Sequence, residues 1–276
     1  RTKNRDHIAI ESLQILPERN ISFSFKRPQW FTFESGEYVY INCPWISKLE
    51  WYPFNIISAR NDNSVLLNIK ASGSWPKKIY KRTIRMLNES SIEKLSIRID
   101  GPYGSSSDKI LNSENVIIVA ASTGVSKFAS ILQDIAFRER NTSIKSKVKN
   151  LYFVWLSDND FYLEWFKKLL HELEKDFKLD YFDYHIFFID RVAAQLPKSM
   201  LYVSKDLYKD NFNIDLVSHS KNKSSTGYPN WNRELKKIKS KYNNQKCTLF
   251  YSGPKNIRKE LTMACKGQEI EFNSES

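Results

Sequence analysis

The fold is decided by the stretch Val116-Ile-Ile-Val-Ala-Ala-Ser-Thr-Gly-Val-Ser-Lys-Phe-Ala-Ser-Ile-Leu132. In it, a continuous apolar run is followed by apolar residues at helical spacing. Val116 to Val119 is a continuous β-branched run, which predicts a buried parallel strand. Ala120 to Gly124 is a turn of small residues, and from Phe128 onward apolar residues recur at helical spacing. A strand, a small-residue turn and a helix can together aim backbone N–H groups at a phosphate. An ordinary strand-to-helix turn of an α/β domain has the same pattern.

The length and composition predict two globular domains. The chain has 276 residues, of which 41% are hydrophobic and 14% aromatic, and this is enough for two cores. No apolar run reaches the roughly 18 residues that a membrane-spanning helix needs. The opening Arg1-Thr-Lys-Asn-Arg-Asp6 has neither an initiating Met nor a signal-peptide pattern. We therefore expect a piece of a longer protein or a trimmed chain.

The net charge and the cysteines bear on three questions: the kind of partner, the redox compartment and the presence of a metal site. A formal charge of +12 fits an anionic partner, such as a membrane face or a nucleotide, but it also fits a proteome that is rich in Lys and Asn. The cysteines Cys43, Cys247 and Cys265 form no metal-ligand spacing and no even disulfide set, which indicates a reducing compartment. The four histidines are scattered, so we expect no His/Cys metal site.

Upstream of the opening stretch, the sequence predicts an antiparallel β-barrel domain over residues 1–108. Short alternating or β-branched runs are separated by turn-rich clusters, and barrels are built from such runs. The predicted strands are Ile8–Leu16, Ile21–Phe25, Tyr38–Cys43, Asn55–Ser58, Val65–Ile69 and Leu95–Ile99. One helix is predicted over Pro76–Leu87, with Pro76 in its first turn.

Downstream, strands alternate with helices, which predicts an α/β domain with a parallel sheet over residues 109–276. The further predicted strands are Leu151–Leu156, Tyr184–Ile189, Cys247–Tyr251 and Ile270–Phe272. The predicted helices are Leu163–Phe177, Trp231–Ile238 and Pro254–Cys265. Residues 191–226 are polar and aperiodic, which favours a surface excursion.

Several short motifs resemble those of one flavoprotein family. In the first half, Lys48-Leu-Glu-Trp-Tyr-Pro-Phe-Asn55 resembles K-L-E-W-H-P-F-T, Asn68-Ile-Lys-Ala-Ser-Gly-Ser-Trp75 resembles H-I-R-x-x-G-D-W, and Asp100-Gly-Pro-Tyr-Gly104 resembles D-G-P-F-G.

The second half continues the series in the same order. The opening stretch is similar to V-G-A-G-I-G-V-T-P-F-A-S-I-L, and Trp155 to Phe166 is similar to W-L-C-R-D followed by F-E-W-F. Gly227-Tyr-Pro-Asn-Trp231 resembles G-R-P-N-W, and Ser252-Gly-Pro254 resembles C-G-P. On these motifs the chain is identified as a member of the NADPH oxidase and ferric-chelate reductase group, within the ferredoxin-reductase-like flavoproteins.

This resemblance implies a function. In that family the domain passes a hydride from NADPH to FAD, and single electrons then go to haems in a transmembrane segment, with dioxygen (giving superoxide) or a metal chelate as the final acceptor. It therefore implies a position on the cytosolic face of a membrane, as part of a longer membrane protein. The expected partners are NAD(P)H and the haem-bearing transmembrane segment, with no nucleic acid.

The resemblance also implies which residues bind the flavin. Asn55 stands where the family has Thr or Ser and would hydrogen-bond the ring, while Pro53-Phe54 would supply an apolar face. Tyr52 replaces a His and can stack on a ring or sugar. Lys70 replaces an Arg, which keeps the charge without the bidentate fork. Ser72 to Trp75 leads into a helix whose N-terminus would hold the pyrophosphate. A preserved barrel that binds no flavin is the alternative.

The resemblance also implies which residues bind the nicotinamide nucleotide. Gly124 and Ser126 would face the phosphates of NADPH or NADH. The motif Ser252-Gly253-Pro254 would lie at the nicotinamide. There Ser252 replaces a Cys, and together with Asn55 it is the candidate catalytic residue.

Four departures from the family fall on this same nucleotide side. Ala120 and Ser122 replace glycines of the turn, where a Cβ can obstruct a phosphate and a positive φ is costly. Asp158 and Tyr228 replace two Arg residues, and losing both cations should disfavour NADPH by several kcal/mol, at roughly 1.5–3 kcal/mol each. Asp158 could instead hold a ribose 2′-OH, which favours NADH. Two hypotheses follow: an active dehydrogenase domain, or a catalytically silent homologue that serves a structural or interaction role.

Overall fold

The computed structural model describes residues 7–16, 19–71, 73–88, 95–104, 107–140, 146–157, 166, 169–170, 173–174, 181–189 and 223–275. The chain divides into two compact units. The first unit contains residues 1–108 and 126–141, and the second contains residues 109–125 and 142–276. The boundary at residue 108 stays a prediction, since the helical residues after Val125 group with the first unit.

The first unit is built on a six-stranded antiparallel sheet. Its strands are β1 (Ile8–Leu16), β2 (Asn20–Lys26), β3 (Tyr38–Asn42), β4 (Tyr52–Asn55), β5 (Ser64–Lys70) and β6 (Ser96–Tyr103), in the order β4-β3-β6-β1-β2-β5. The segment after β4 meets β5, because Ile57 N donates to Leu66 O (3.0 Å) and Leu66 N donates to Ser58 Oγ (3.2 Å). These bonds bring the two ends of the strand order together beyond β4, and the predicted antiparallel β fold of this domain is confirmed.

One predicted strand was misplaced. The sequence predicted Asn55–Ser58, but the strand is Tyr52–Asn55. Pro53 has no backbone N–H, and a proline within a sheet is confined largely to edge strands. β4 is at the end of the strand order, so a proline is tolerated there. The whole Tyr-Pro-Phe-Asn motif is therefore held in extended, paired backbone.

The core of the first unit lies between the sheet and a helix, α1 (Ser74–Asn88). Trp75, Ile79 and Met86 of α1 are buried in it, and each large apolar side chain fully buried contributes about 1.5–3 kcal/mol. The helix α3 (Val125–Arg140), which follows the short helix α2 (Ser107–Leu111) later in the chain, groups with the first unit from Ser126 onward. Gln133 Nε2 on α3 donates to Ile57 O at 2.7 Å.

The second unit is a six-stranded parallel sheet. Its strands are β7 (Asn115–Ala121), β8 (Asn150–Ser157), β9 (Phe182–Phe188), β10 (Ser224–Thr226), β11 (Thr248–Ser252) and β12 (Glu271–Glu275), in the order β10-β9-β8-β7-β11-β12. Its described helices include α4 (Trp231–Lys241) and α5 (Lys255–Gly267). Every residue of β7 is buried, as the β-branched run predicted. The α/β fold with a parallel sheet is confirmed.

Two parts of the prediction need qualification in this unit. Ser224–Thr226 was assigned to a surface excursion, but it forms a strand parallel to β9; the rest of that excursion, up to residue 222, lies outside the described residues. Of the helix predicted over Leu163–Phe177, the described residues include Phe166, Leu170 and Leu173, which are helical and buried. Among the described helices, none has the length and apolar character required to span a bilayer.

Candidate functional site

The strand order of the second unit predicts where a ligand would bind along its sheet. From β7 the chain moves outward through β8, β9 and β10, and it then returns to the other side of β7 at β11. The strand order therefore reverses between β7 and β11, which are paired in register with Ala120 opposite Ser252. In open parallel sheets, ligands bind at the carboxyl ends of the strands at such a switch point. The small-residue turn and the Ser-Gly-Pro motif both follow these two strand ends.

Gly124 allows the turn to lie directly against the end of β11. A Cβ added at Gly124 would overlap the Ser252 carbonyl oxygen and would lie 2.7 Å from its carbonyl carbon. Gly253 is restricted from the other side. Its φ is +156°, and a Cβ there would lie 2.7 Å from the Ala121 Cβ. Gly124 and Gly253 were both predicted to bind nucleotide. Because neither has a side chain, the small-residue turn and the Ser-Gly-Pro motif can lie against each other.

The two replaced glycines behave differently in the structure. Ala120 is fully buried inside β7, between Trp155 on β8 and Ser252 on β11. Ala120 therefore belongs to the strand and not to the turn that follows it, and the obstruction of a phosphate at Ala120 stays a prediction. Ser122 has φ +51°, a left-handed conformation that costs an L-residue about 1–2 kcal/mol. At Ser122 the loss of glycine therefore carries the predicted cost.

Helices begin at the carboxyl ends of both strands. α3 starts at Val125, with Ser126 as its buried second residue. α5 starts at Lys255, and its N-cap Pro254 gives no side-chain hydrogen bond. The first N–H groups of α5 are therefore not capped by a side chain, which is the arrangement that favours an anion. Ser252 is buried at the last position of β11.

The Gly-Tyr-Pro-Asn-Trp motif joins the same region. Asn230 caps α4 by accepting from Arg233 N at 3.1 Å, and Trp231 is buried, whereas Tyr228 is 61% exposed. Burial raises the pKa of the Tyr251 hydroxyl, and Tyr228 is close enough to raise it further. Tyr251 in turn donates to Pro254 O at 2.8 Å. Gly227 N donates to Phe188 O at 2.8 Å, so the motif begins at the carboxyl end of β9, while Asp158 lies outside the described residues.

In the first unit, two separate flavin motifs meet. The Tyr52 ring stacks on the Trp75 indole, with ring centroids 4.3 Å apart and planes 16° from parallel. Phe54 stacks on the same indole at 6.0 Å and 25°. Trp75 is fully buried, so it positions Tyr52 and Phe54 from beneath. Its Nε1 is buried and has no hydrogen-bond partner among the described residues.

Strands β3 and β6, which follow β4 in the sheet, carry an aromatic cluster that the sequence did not predict. Asn55 is paired with Tyr38 on β3, and Tyr38 is paired with Tyr103 on β6. The Tyr103 ring lies 5.9 Å from Tyr38 and 5.6 Å from Tyr40, and its hydroxyl donates to Asp100 Oδ1 at 2.8 Å. The signal was the alternation of Tyr38 and Tyr40 with buried Val39 and Ile41. Asn55 therefore borders a half-buried aromatic surface.

The remaining flavin candidates lie at the end of β5 and the start of α1. Lys70 is the half-buried last residue of β5, and α1 begins at Ser74 after Gly73, whose φ is +93°. A Cβ at Gly73 would meet only Pro76 Cδ within 4 Å, at 3.9 Å, so the backbone is open there. Ser72 lies outside the described residues. An apolar stack, an amide, a cation and an open helix N-terminus suit an isoalloxazine and a pyrophosphate.

Comparison with known protein families agrees with this division. Residues 6–107 match a family model described as an FAD-binding domain. Residues 113–266 match the ferric reductase NAD binding domain. The flavin candidates fall in the first of these ranges, and the nucleotide candidates fall in the second.

Curated relatives point in the same direction. The chain is 27% identical over 268 residues to NADPH oxidase 1 of Mus musculus, covering 96% of this chain and 43% of that protein. It is 28% identical over 261 residues to a superoxide-generating NADPH oxidase heavy chain from Dictyostelium discoideum, covering 91% of this chain and 49% of that protein. The chain thus spans about half or less of the length of these relatives.

A solved structure supports the fold. A ferredoxin NADP+ reductase from Neisseria gonorrhoeae, with bound FAD and NADP, matches with a TM-score of 0.64 at 11% identity, covering 98% of each chain. The fold is therefore ferredoxin-reductase-like, as the resemblance implied. With its FAD-binding and NAD-binding domains both matched, the chain belongs to the ferric reductase and NADPH oxidase family of flavin-dependent oxidoreductases.

Proposed function

We propose that this chain is the dehydrogenase portion of an NADPH-oxidase-like or ferric-reductase-like membrane protein. In this proposal NADH or NADPH reduces FAD at the chain, and electrons pass from FAD to haem in a transmembrane segment of the same protein or complex. The chain then lies on the cytosolic face of that membrane. Dioxygen or a metal chelate is the final acceptor.

The observation that carries the proposal is the contact between Gly124 and Ser252 at the switch point of the parallel sheet. This contact does not depend on the resemblance, because it follows from strand order and from the space that an added Cβ would need. It brings the turn and the Ser-Gly-Pro motif together where a dinucleotide binds in such sheets. The N-terminus of α5, which no side chain caps, suits its phosphates at this position.

Each candidate residue has a chemical role in this proposal. Bound FAD supplies the capacity to accept a hydride and to release single electrons. Asn55 holds the reactive edge of the ring by a hydrogen bond, while Tyr52 and Phe54, stacked on Trp75, fix the adjoining apolar surface. Lys70 and the start of α1 bind the pyrophosphate. Ser252 orients the nicotinamide.

The second hypothesis, a silent homologue with a decayed nucleotide site, is favoured by one observation. Ser122 occupies a left-handed position in the turn, so the glycine there was lost at a cost in stability. The changes at Ala120 and Tyr228 do not require decay. Ala120 is accommodated inside β7, and an exposed Tyr228 leaves room for a nucleotide. We therefore favour the active dehydrogenase.

The proposal predicts that Asn55→Ala separates flavin binding from flavin reduction. Because the stack and the pyrophosphate contacts remain, the purified variant should keep its FAD absorbance. Loss of one hydrogen bond worth about 0.5–1.5 kcal/mol should slow NADH-dependent bleaching by roughly 2- to 13-fold. Asn55→Thr, which restores the family's residue, is the matched control and should recover the rate. A wild-type chain that stays colourless after FAD addition would rule the proposal out.

A further inference from the structure

One face of α1 carries an unusual concentration of positive charge. The sequence of the helix, Ser-Trp-Pro-Lys-Lys-Ile-Tyr-Lys-Arg-Thr-Ile-Arg-Met-Leu-Asn, contains no acidic residue. Its cations are all exposed: Lys77, Lys78, Lys81, Arg82 and Arg85. The spacing between them places all five on one side of a helix. We call this surface the α1 basic face.

The other side of α1 is fixed in the core, so the α1 basic face cannot rotate inward. Trp75, Ile79, Thr83 and Met86 recur at helical spacing and are buried. The helix is therefore anchored along most of its length, and the cations project from it at fixed positions. The face is a permanent feature of the first unit.

No described carboxylate neutralises this face. The ion pairs of the described residues use other cations, such as Arg138 with Asp134 (3.0 Å) and Lys241 with Asp183 (2.7 Å). Like charges four residues apart destabilise a helix, and cations in the first turn oppose the helix dipole. The arrangement lowers the stability of α1, and an anionic partner would offset this.

The phosphates of a bound flavin would contact only the first turn of α1, so they cannot pair with the whole α1 basic face. From Lys77 to Arg85 the helix rises about 12 Å, whereas an anion held at a helix N-terminus is bound by the first turn alone. Lys81, Arg82 and Arg85 therefore face something other than the flavin. The partner has to carry repeated negative charge along the length of the helix.

We propose that the α1 basic face binds the surface of an anionic phospholipid bilayer. An anionic bilayer presents negative charge in a plane, which matches a straight row of fixed cations. The described side chains of this face include no exposed large apolar residue that would insert into lipid, so binding is electrostatic and peripheral. The choice of lipid over an acidic protein rests on the proposed function, which places the chain beside a membrane.

The test uses vesicle co-sedimentation with the purified chain. Vesicles of phosphatidylcholine alone are compared with vesicles containing phosphatidylserine. We expect binding only to the phosphatidylserine vesicles, and we expect it to weaken as salt rises. The variant Lys78→Gln/Lys81→Gln/Arg82→Gln/Arg85→Gln should bind at least about tenfold more weakly, since each juxtamembrane cation contributes substantially to such attraction.

The matched control removes the same number of exposed cations from the second unit: Lys236→Gln, Lys237→Gln, Lys259→Gln and Lys266→Gln. Because it has the same net charge, it should bind much like the wild-type chain. An equal loss in both variants would mean that only net charge matters, which overturns the proposal. A circular dichroism melt checks folding, and Lys81→Gln/Arg85→Gln repeats the comparison with a smaller change.

Two further outcomes would also overturn the proposal. One is binding to polyglutamate without binding to phosphatidylserine vesicles, which would indicate an acidic protein partner. The other is displacement of the chain from vesicles by excess FAD, which would assign the face to the flavin site. Flavin reduction by NADH, measured on the same preparation, is independent of all these results. A failure of lipid binding can therefore be distinguished from a failure of the proposed function.

Discussion

Gly124→Ala is expected to destabilise the chain by about 3 kcal/mol, since overpacking a closed site costs about 1–3 kcal/mol and occasionally more. The added Cβ would overlap the backbone carbonyl of Ser252, which is held in a paired strand and cannot give way as a flexible side chain would. Either β11 or the turn must move. We also expect nucleotide binding to be lost, because the same movement separates the turn from the Ser-Gly-Pro motif.

Gly267→Ala is the control for this experiment. Gly267 is the last residue of α5, and a Cβ there would meet nothing within 4 Å. Ala is preferred over Gly in helices by about 1 kcal/mol, so this change should leave stability unchanged or raise it slightly. Urea unfolding followed by circular dichroism compares the two variants. Equal stability of the two would show that the turn does not lie against β11 as described.

Tyr228→Arg is expected to shift nucleotide preference toward NADPH. Tyr228 is 61% exposed, so a longer side chain fits without disturbing the core. Under the proposed function, the new guanidinium would pair with the 2′-phosphate. A charge-assisted bond of about 1.5–3 kcal/mol corresponds to a rise of roughly 10- to 150-fold in the ratio of kcat/KM for NADPH to that for NADH.

The measurement is the rate of flavin reduction with each nucleotide. Tyr228→Phe keeps the ring and adds no charge, so its ratio should stay close to that of the wild-type chain. We further expect the wild-type chain to prefer NADH, since Asp158 brings a negative charge where the family has an Arg. A wild-type preference for NADPH would show that the charge at Asp158 does not set the nucleotide preference.

Much of the fold was predictable because local patterns were strong. The β-branched run of β7 and the apolar spacing that follows it predicted a strand and a helix, and both were found. β4 was misplaced by local reasoning, because whether Pro53 can sit in a strand depends on whether the strand is at an edge. β10 was missed since three polar residues carry no periodicity of their own, and only pairing with β9 makes them a strand.

The candidate site was predictable in its residues but not in its geometry. Short motifs identified Tyr52, Phe54 and Trp75, yet nothing local shows that the two rings stack on a buried indole. Nor can sequence separate a tolerated glycine loss from a costly one. Ala120 and Ser122 are similar substitutions in the turn motif, and they differ because one lies in a strand and the other has a positive φ.

Hydride transfer from a nicotinamide nucleotide to FAD bound by this chain is the central claim, and anaerobic mixing of the FAD-loaded protein with NADH tests it most directly. We predict that the visible band of the oxidised flavin bleaches on mixing, and that it bleaches faster with NADH than with an equal concentration of NADPH. A flavin that stays bound and yellow in excess of both nucleotides would contradict the claim and would support the silent homologue.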